Sequence, residues 1–328
     1  MEQATVVSLP KEVFEEACRT AKALVNEVEK VVVGKHREIT LLVTAMLCGG
    51  HVLIEDVPGV GKTTLAAALA KAAGLDFRRA QFTPDVMASD ITGFNLYNRT
   101  KESFDFQKGL VMCNLLLADE INRASPKTQS ALLEAMEEGA VTVDGVRYAL
   151  PAPFTVVATQ NPTGFVGTYP LPEAQLDRFA LKLSMGYPAT DEEVDIMLCR
   201  RQGNPLDSVR AVADPETICA LREAVERQFI DPEICRYIVA LVSATRHHRD
   251  LALGASPRAS LALMHMAQAW AFMQERNYVI PEDVGAVFRH VIAHRLILRQ
   301  EAKLSGVQAE GILKEILHAT EIPFKGKK

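Results

Sequence analysis

An α/β domain with a parallel sheet, followed by an all-helical domain, is the fold class this sequence predicts, and three observations predict it. Short apolar runs at His51–Ile54, Leu115–Ala118 and Phe154–Ala158 lack the alternation of solvent-facing strands and suit central parallel strands covered on both faces. The first run leads through a glycine-bearing loop into an Ala- and Leu-rich helix, Thr64–Ala73, the order that opens a parallel α/β unit. After Tyr187-Pro188 the pattern turns helical and strand-poor.

Taken in order, Pro10–Val32 reads as an amphipathic helix, with Val13, Phe14, Ala17, Ala21, Leu24, Val25 and Val28 at helical spacing. A second helix, Arg37–Leu47, ends at Gly49-Gly50, a C-cap and turn. Two insertions interrupt the α/β pattern. Between Gly93 and Gly109, Ser103–Gln107 alternates as a strand should, and Val141–Tyr148 reads as a hairpin closed by Asp144-Gly145. Helices are then expected at Asp191–Arg201, Pro215–Arg227, Pro232–Arg249, Pro257–Glu275 and Pro281–Arg299, several with proline in the first turn. The expected division is an N-terminal helix (1–32), an α/β domain (33–190, inserts near 93–109 and 140–150), a linker (191–205) and a helical domain (206–328).

Composition bounds the function. With 328 residues, 48% hydrophobic and 23% charged, the chain is long enough for a substantial core and is neither a disordered nor a fibrous sequence. The formal net charge of −5 offers no overall cationic field for nucleic acid or anionic lipid. The six cysteines contain no Cys-x-x-Cys pair, which fits scattered core thiols in a reducing cytoplasm. No signal peptide or spanning segment is expected; the most apolar window, Leu41–Ile54, is short and interrupted.

The strongest chemical signal is Asp56-Val57-Pro58-Gly59-Val60-Gly61-Lys62-Thr63-Thr64. Such a loop turns backbone N–H groups and a helix N-terminus toward one point, which favours a polyphosphate. Lys62 would reach its β- and γ-phosphates and Thr63 would ligate Mg²⁺. Asp56 stands where the general pattern has its first glycine. The second signal is Leu115–Ala118 ending in Asp119-Glu120, 57 residues past Lys62. Parallel strands would bring these carboxylates to the edge that carries the loop, Asp119 holding Mg²⁺ and Glu120 polarising the attacking water.

These motifs, with a strand ending Thr159-Gln160-Asn161-Pro162, resemble the ATPase module of AAA+ proteins. Asp56–Gly59, Asp119–Ala124, Leu171–Phe179 and Gly254–Ala259 resemble the MoxR family more closely, over roughly residues 30 to 300. Asp at the first glycine position is common there. The resemblance implies ATP and Mg²⁺ as cofactors, a P-loop sheet with an all-helical lid, and nucleotide contacts from Val33, Gly34, Pro58–Thr64 and Asp119. It assigns Asn161 to sensor 1, Arg178 to the arginine finger acting on a neighbouring subunit, and Arg258 to sensor 2. The two inserts resemble those of the clade that includes magnesium chelatase subunits. A homo-oligomeric ring, in all expectation a hexamer, would remodel or activate partner proteins, alongside proteins with a von Willebrand factor type A domain.

The residues alone leave alternatives open. Asp177-Arg178 also reads as a surface ion pair, worth little. Arg123 is a second candidate for a trans-acting arginine. Ser256-Pro257-Arg258 reads as N-cap, N1 and N2 of a helix, where a cation opposes the macrodipole unless an anion is bound. His290 and His294 lie one helical turn apart without the glutamate that a zinc protease helix needs. Lys325–Lys328 read as a solvated basic tail. Two other functions stay in view: a nucleotide-gated binding module with little turnover, and a DNA-translocating motor, which the near-neutral inserts disfavour.

Overall fold

The structure is a computed structural model describing residues 10–161, 169–201 and 203–324. Pro162 of the sensor 1 motif and the Lys325–Lys328 tail lie outside the described residues. The chain runs α1 (Lys11–Glu29), α2 (His36–Leu47), β1 (Val52–Glu55), α3 (Lys62–Ala72) and β2 (Phe77–Gln81). The first insert follows as α4 (Ala88–Thr92), β3 (Gly93–Asn98) and β4 (Ser103–Lys108). Next come β5 (Leu115–Asp119), α5 (Pro126–Glu138), the hairpin β6 (Ala140–Val143) and β7 (Val146–Ala149), β8 (Thr155–Gln160), α6 (Glu173–Leu176), β9 (Leu181–Leu183) and α7 (Thr190–Arg201). The helical part holds α8 (Pro215–Glu226), α9 (Pro232–Arg246), β10 (Leu251–Leu253), α10 (Pro257–Met273), α11 (Pro281–Ile292), β11 (Ile297–Leu298), α12 (Gln300–Leu304) and α13 (Ala309–Ala319).

Five strands form one parallel sheet in the order β2-β5-β8-β1-β9. Because side chains alternate across a strand, each central run feeds two cores. Val52, Ile54, Leu115, Leu117 and Val157 face the helix layer of α1–α3 and the lid, while Leu53, Leu116, Ala118, Val156 and Ala158 face the layer that contains α5. The first of these cores continues without a break into α8–α11 and α13, so the helical part is fused to the sheet domain. Arg222 of α8 reinforces that fusion, donating to the Met46 carbonyl at 2.9 Å and to Thr155 Oγ1 at 2.7 Å.

Several expectations are corrected. The sheet has two outer strands that the apolar pattern does not reveal: β2, whose sequence carries two arginines, and the three-residue β9. An edge strand is covered less fully and so reads as polar, while three residues are too few to show a period. The helix expected at Asp191–Arg201, within the segment assigned as a linker, is present as α7. The last expected helix, Pro281–Arg299, stops at Ile292, because the chain turns through 293–295 to pair β11 antiparallel with β10. Val13, expected on the packed face of α1, is exposed, whereas Cys18 is buried there. The Asp144-Gly145 turn closes β6–β7 as expected, with both residues at positive φ.

Candidate nucleotide site and the arginine edge

At the carboxyl edge of the sheet, β1 runs into the loop Asp56–Gly61, and α3 starts at Lys62. Gly59 and Gly61 have φ of 89° and 91°, a left-handed backbone that turns the N–H groups inward and that side chains resist. Asp56 has a definite task. Its Oδ2 accepts from the Met185 and Gly186 amides at 2.6 and 2.7 Å and from Ser184 Oγ at 3.1 Å, tying the loop to the segment after β9. Where the general pattern has a flexible glycine, this chain has an anchor.

Lys62 is buried, and its Nζ donates to the Asp56 carbonyl at 2.7 Å, across the mouth of the loop. Burial pushes its pKa down, while Asp56, Asp119 and Glu120 oppose that by favouring the charged form. Thr63 and Thr64 follow in the first turn of α3, half-buried. Val33, Gly59, Val60, Gly61 and Thr64 line a cavity of 140 Å³, together with residues that include Ile196 of α7. A side chain at Gly34 would overlap the Glu192 carboxylate, so α7 packs directly on the 33–34 turn. Pro58 stands exposed at the rim.

The neighbouring strand ends supply the carboxylates. Thr159 Oγ1 of β8 donates to Asp119 Oδ1 at 2.7 Å and accepts from the Glu120 amide at 2.9 Å. Glu120 adopts φ of 56°, a rare conformation for a side-chain-bearing residue, held here by its neighbours. Asn161 Nδ2 donates to Glu120 Oε1 at 3.2 Å and Arg123 Nη1 to Oε2 at 3.0 Å. Arg79 of β2, which the sequence reading missed, donates twice to Asp119 Oδ2, at 2.7 Å and 3.2 Å. Only the unrecognised edge strand could have pointed to it.

These groups fit a nucleoside triphosphate with a divalent cation. The loop offers amides and a buried ammonium, Thr63 a hydroxyl, and Asp119 and Glu120 hard oxygen donors at the end of β5, one strand removed from β1. The arrangement suits phosphoryl transfer to water, a reaction governed by positioning and charge.

Arg178 and Arg258 lie elsewhere. Arg178 precedes β9, and Ala180 donates its amide to the His51 carbonyl just before β1, so Arg178 belongs to the amino edge of the same sheet. A four-residue parallel strand at about 3.3 Å per residue separates the edges by about 13 Å. Arg178 donates to the Leu133 carbonyl at 2.5 Å and pairs with Glu137 at 3.0 Å. Arg258 pairs with the other oxygen of Glu137, also at 3.0 Å. Ser256 caps α10 as expected, its Oγ accepting from the Ala259 amide. Asp177, read above as a partner for Arg178, instead pairs with the buried Arg295. Arg123 stays at the carboxyl edge on its own chain's Glu120. His294 is committed to the Phe179 carbonyl at 3.0 Å, and no metal-binding cluster occurs among the described residues.

A parallel sheet with a phosphate-type loop, paired carboxylates at the end of a strand one removed from it and a fused helical lid defines a P-loop nucleotide-binding protein. Comparison with known proteins agrees: the family described as "ATPase family associated with various cellular activities (AAA)" matches residues 51–181, and the AAA lid domain matches 243–316. The chain is 50% identical to YeaC of Bacillus subtilis over 301 residues, covering 92% of this chain and 94% of that one. It is 39% identical to Chaperone MoxR1 of Mycobacterium tuberculosis over 313 residues, covering 93% of this chain and 82% of that one. The crystal structure of a "putative ATPase" from Cytophaga hutchinsonii matches with a TM-score of 0.89 at 39% identity, covering 95% of this chain and 97% of that one. The chain belongs to the MoxR family of AAA+ ATPases.

Proposed function

We propose that this chain is a Mg²⁺-dependent ATPase that works as a ring, hexameric in our reading, and uses ATP hydrolysis to remodel or activate partner proteins. The observation that carries the reading is the placing of two complementary sets of charge on opposite edges of one sheet. Lys62, Asp119, Glu120 and Asn161 line one edge, while Arg178 and Arg258 sit on the other. Arg178 and Arg258 are thus poorly placed for their own chain's phosphates and well placed for those of a neighbour. Within each site Lys62 binds the phosphates, Thr63 and Asp119 hold the cation, Glu120 orients and deprotonates water, and Asn161 fixes Glu120. Arg178 and Arg258 offset the charge that develops on the neighbour's transferring phosphoryl group.

The kinship with a protein named as a chaperone supports a client protein as the object of this work, and proteins with a von Willebrand factor type A domain remain the proposed partners. Among the described residues no helix is long and apolar enough to cross a membrane, and we keep the cytoplasm as the proposed setting. Glu120→Gln is expected to abolish ATP turnover while ATP still binds; retained turnover would refute the mechanism. Specific activity should rise steeply with protein concentration, because each site is completed by another subunit.

One observation favours a second reading, a gated module with little basal turnover. Asp119 is engaged by Arg79, and Glu120 by Arg123 and Asn161, so both carboxylates rest in pairs. ATP binding without turnover at every protein concentration would select that reading.

A further inference from the structure

Besides its own contacts with Leu133 and Glu137, Arg178 is flanked by residues that are themselves held by others. The residues on either side, Asp177 and Phe179, are gripped by the lid. Arg295, directly after α11, donates Nε to Asp177 Oδ1 at 2.6 Å and Nη2 to the Asp177 and Phe179 carbonyls at 3.1 and 2.7 Å; its Nη1 binds the Val291 carbonyl. His294 adds a second donor to Phe179 O. The Arg295 side chain is 2% exposed, and so complete a burial of a guanidinium is tolerable only when it is well bonded, and here each of its three nitrogens donates.

The same carboxylate reaches the second arginine. Asp177 Oδ2 accepts from Ser256 Oγ at 2.8 Å, and Ser256 is the N-cap of α10, two residues before Arg258. Asp177 therefore takes one lid contact that fixes the backbone of Arg178 and another that fixes the helix end bearing Arg258. The two guanidinia then converge on Glu137 from opposite sides. A simple adhesive between lid and sheet domain is already provided by the continuous core and by Arg222. The bonds of Arg295 fall instead on the residues that bracket Arg178.

We propose that Arg295, acting through Asp177 and Phe179, is a positioning residue that sets Arg178 for the neighbouring subunit's site, and that the Asp177–Ser256 bond keeps Arg258 in register with it. Lid orientation in one subunit is thereby read out as the placement of both arginines in the next. This rests on the ring reading above.

Mixed rings test it. Chains carrying Glu120→Gln cannot turn over ATP but can donate arginines; chains carrying Arg178→Ala keep their own site but donate no finger. Mixing the two should restore hydrolysis that neither has alone. Adding Arg295→Lys to the donor chain should lower the restored rate about 10- to 100-fold, the loss expected for a displaced reacting group, with the KM for ATP unchanged. Adding it to the other chain should leave the restored rate within about twofold. Equal loss from either chain, or no loss from the donor, overturns the proposal, since a merely structural arginine would not distinguish them. If the parent pair shows no restoration, the ring reading itself fails, and this inference with it. Asp177→Asn, which keeps the size of the side chain, is run in the same two positions, and it decides the matter if Arg295→Lys does not fold, as judged by thermal melting.

Discussion

At the carboxyl edge of the sheet, nearly every polar group of the site follows closely on a strand end: Lys62 in the loop after β1, Asp119 and Glu120 at the end of β5, Asn161 after β8. At the amino edge, Arg178 and Arg258 come from segments 80 residues apart and meet on Glu137, at the end of a third element. The first constellation is built by local turns whose backbone conformations are dictated residue by residue. The second exists only because the lid is packed against the sheet domain. A site of the first kind can bind its ligand in an isolated chain, while one of the second kind transmits the state of a domain interface. That is the division of labour expected of subunits that must report to one another.

The largest test of this contrast is Arg178→Ala. If the amino edge serves catalysis and not binding, kcat should fall about 10³-fold while the affinity for ATP stays within about threefold. Steady-state hydrolysis together with titration of a fluorescent nucleotide analogue measures both. A matching loss of ATP affinity would erase the distinction between the edges.

Asp56→Ala probes the carboxyl edge. It strands the Met185 and Gly186 amides, and chemical denaturation should show a loss of about 3 kcal/mol. Asp56→Gly, which restores the general loop pattern, should be no more stable. If Gly matches the wild type, the anchor is dispensable and the loop alone sets the site.

An effect that appears only on acidification belongs to the amino edge. His51 is buried, its Nδ1 accepting from the Val156 amide and its Nε2 donating to the Met136 carbonyl, each at 3.0 Å, which requires the neutral ring. Burial pushes its pKa down to about 4. Above pH 6.5 both folded and unfolded chains hold it neutral, so it adds no pH dependence. As pH falls from 6.5 to 4 the unfolded chain takes up a proton that the folded chain refuses, and stability drops by about 1.4 kcal/mol per unit before levelling off. His290 and His294 are shifted the same way by burial, so the quantity to measure is the difference between wild type and His51→Gln across this range. A difference that does not change with pH would mean that His51 titrates normally.

The central strands, the Asp144-Gly145 hairpin, the second strand of the first insert, the phosphate-type loop and the paired carboxylates were legible in the sequence. Each is written in a short contiguous pattern: buried apolar runs, a Gly-x-Gly-Lys-Thr turn, an Asp-Gly turn. Helix α5 was not read, although Ser125-Pro126 caps it in an ordinary way. Neither was the role of Asp56, whose partners lie some 130 residues on, nor that of Arg79 on an edge strand too polar to stand out.

What the sequence determined by itself was therefore the chemistry of one edge, because the conformations that create a phosphate cradle are local and tolerate few residue types. What only the tertiary structure decided was which partners the arginines meet within the chain. Whether a guanidinium serves its own chain's phosphate, a neighbour's, or a surface ion pair depends on which carboxylate and which carbonyl packing brings within reach. Motif resemblance singles out Arg178 and Arg258 in the sequence, whereas nothing there marks Arg295. Their difference arises from burial and from the Glu137 and Asp177 carboxylates that the fold sets beside them.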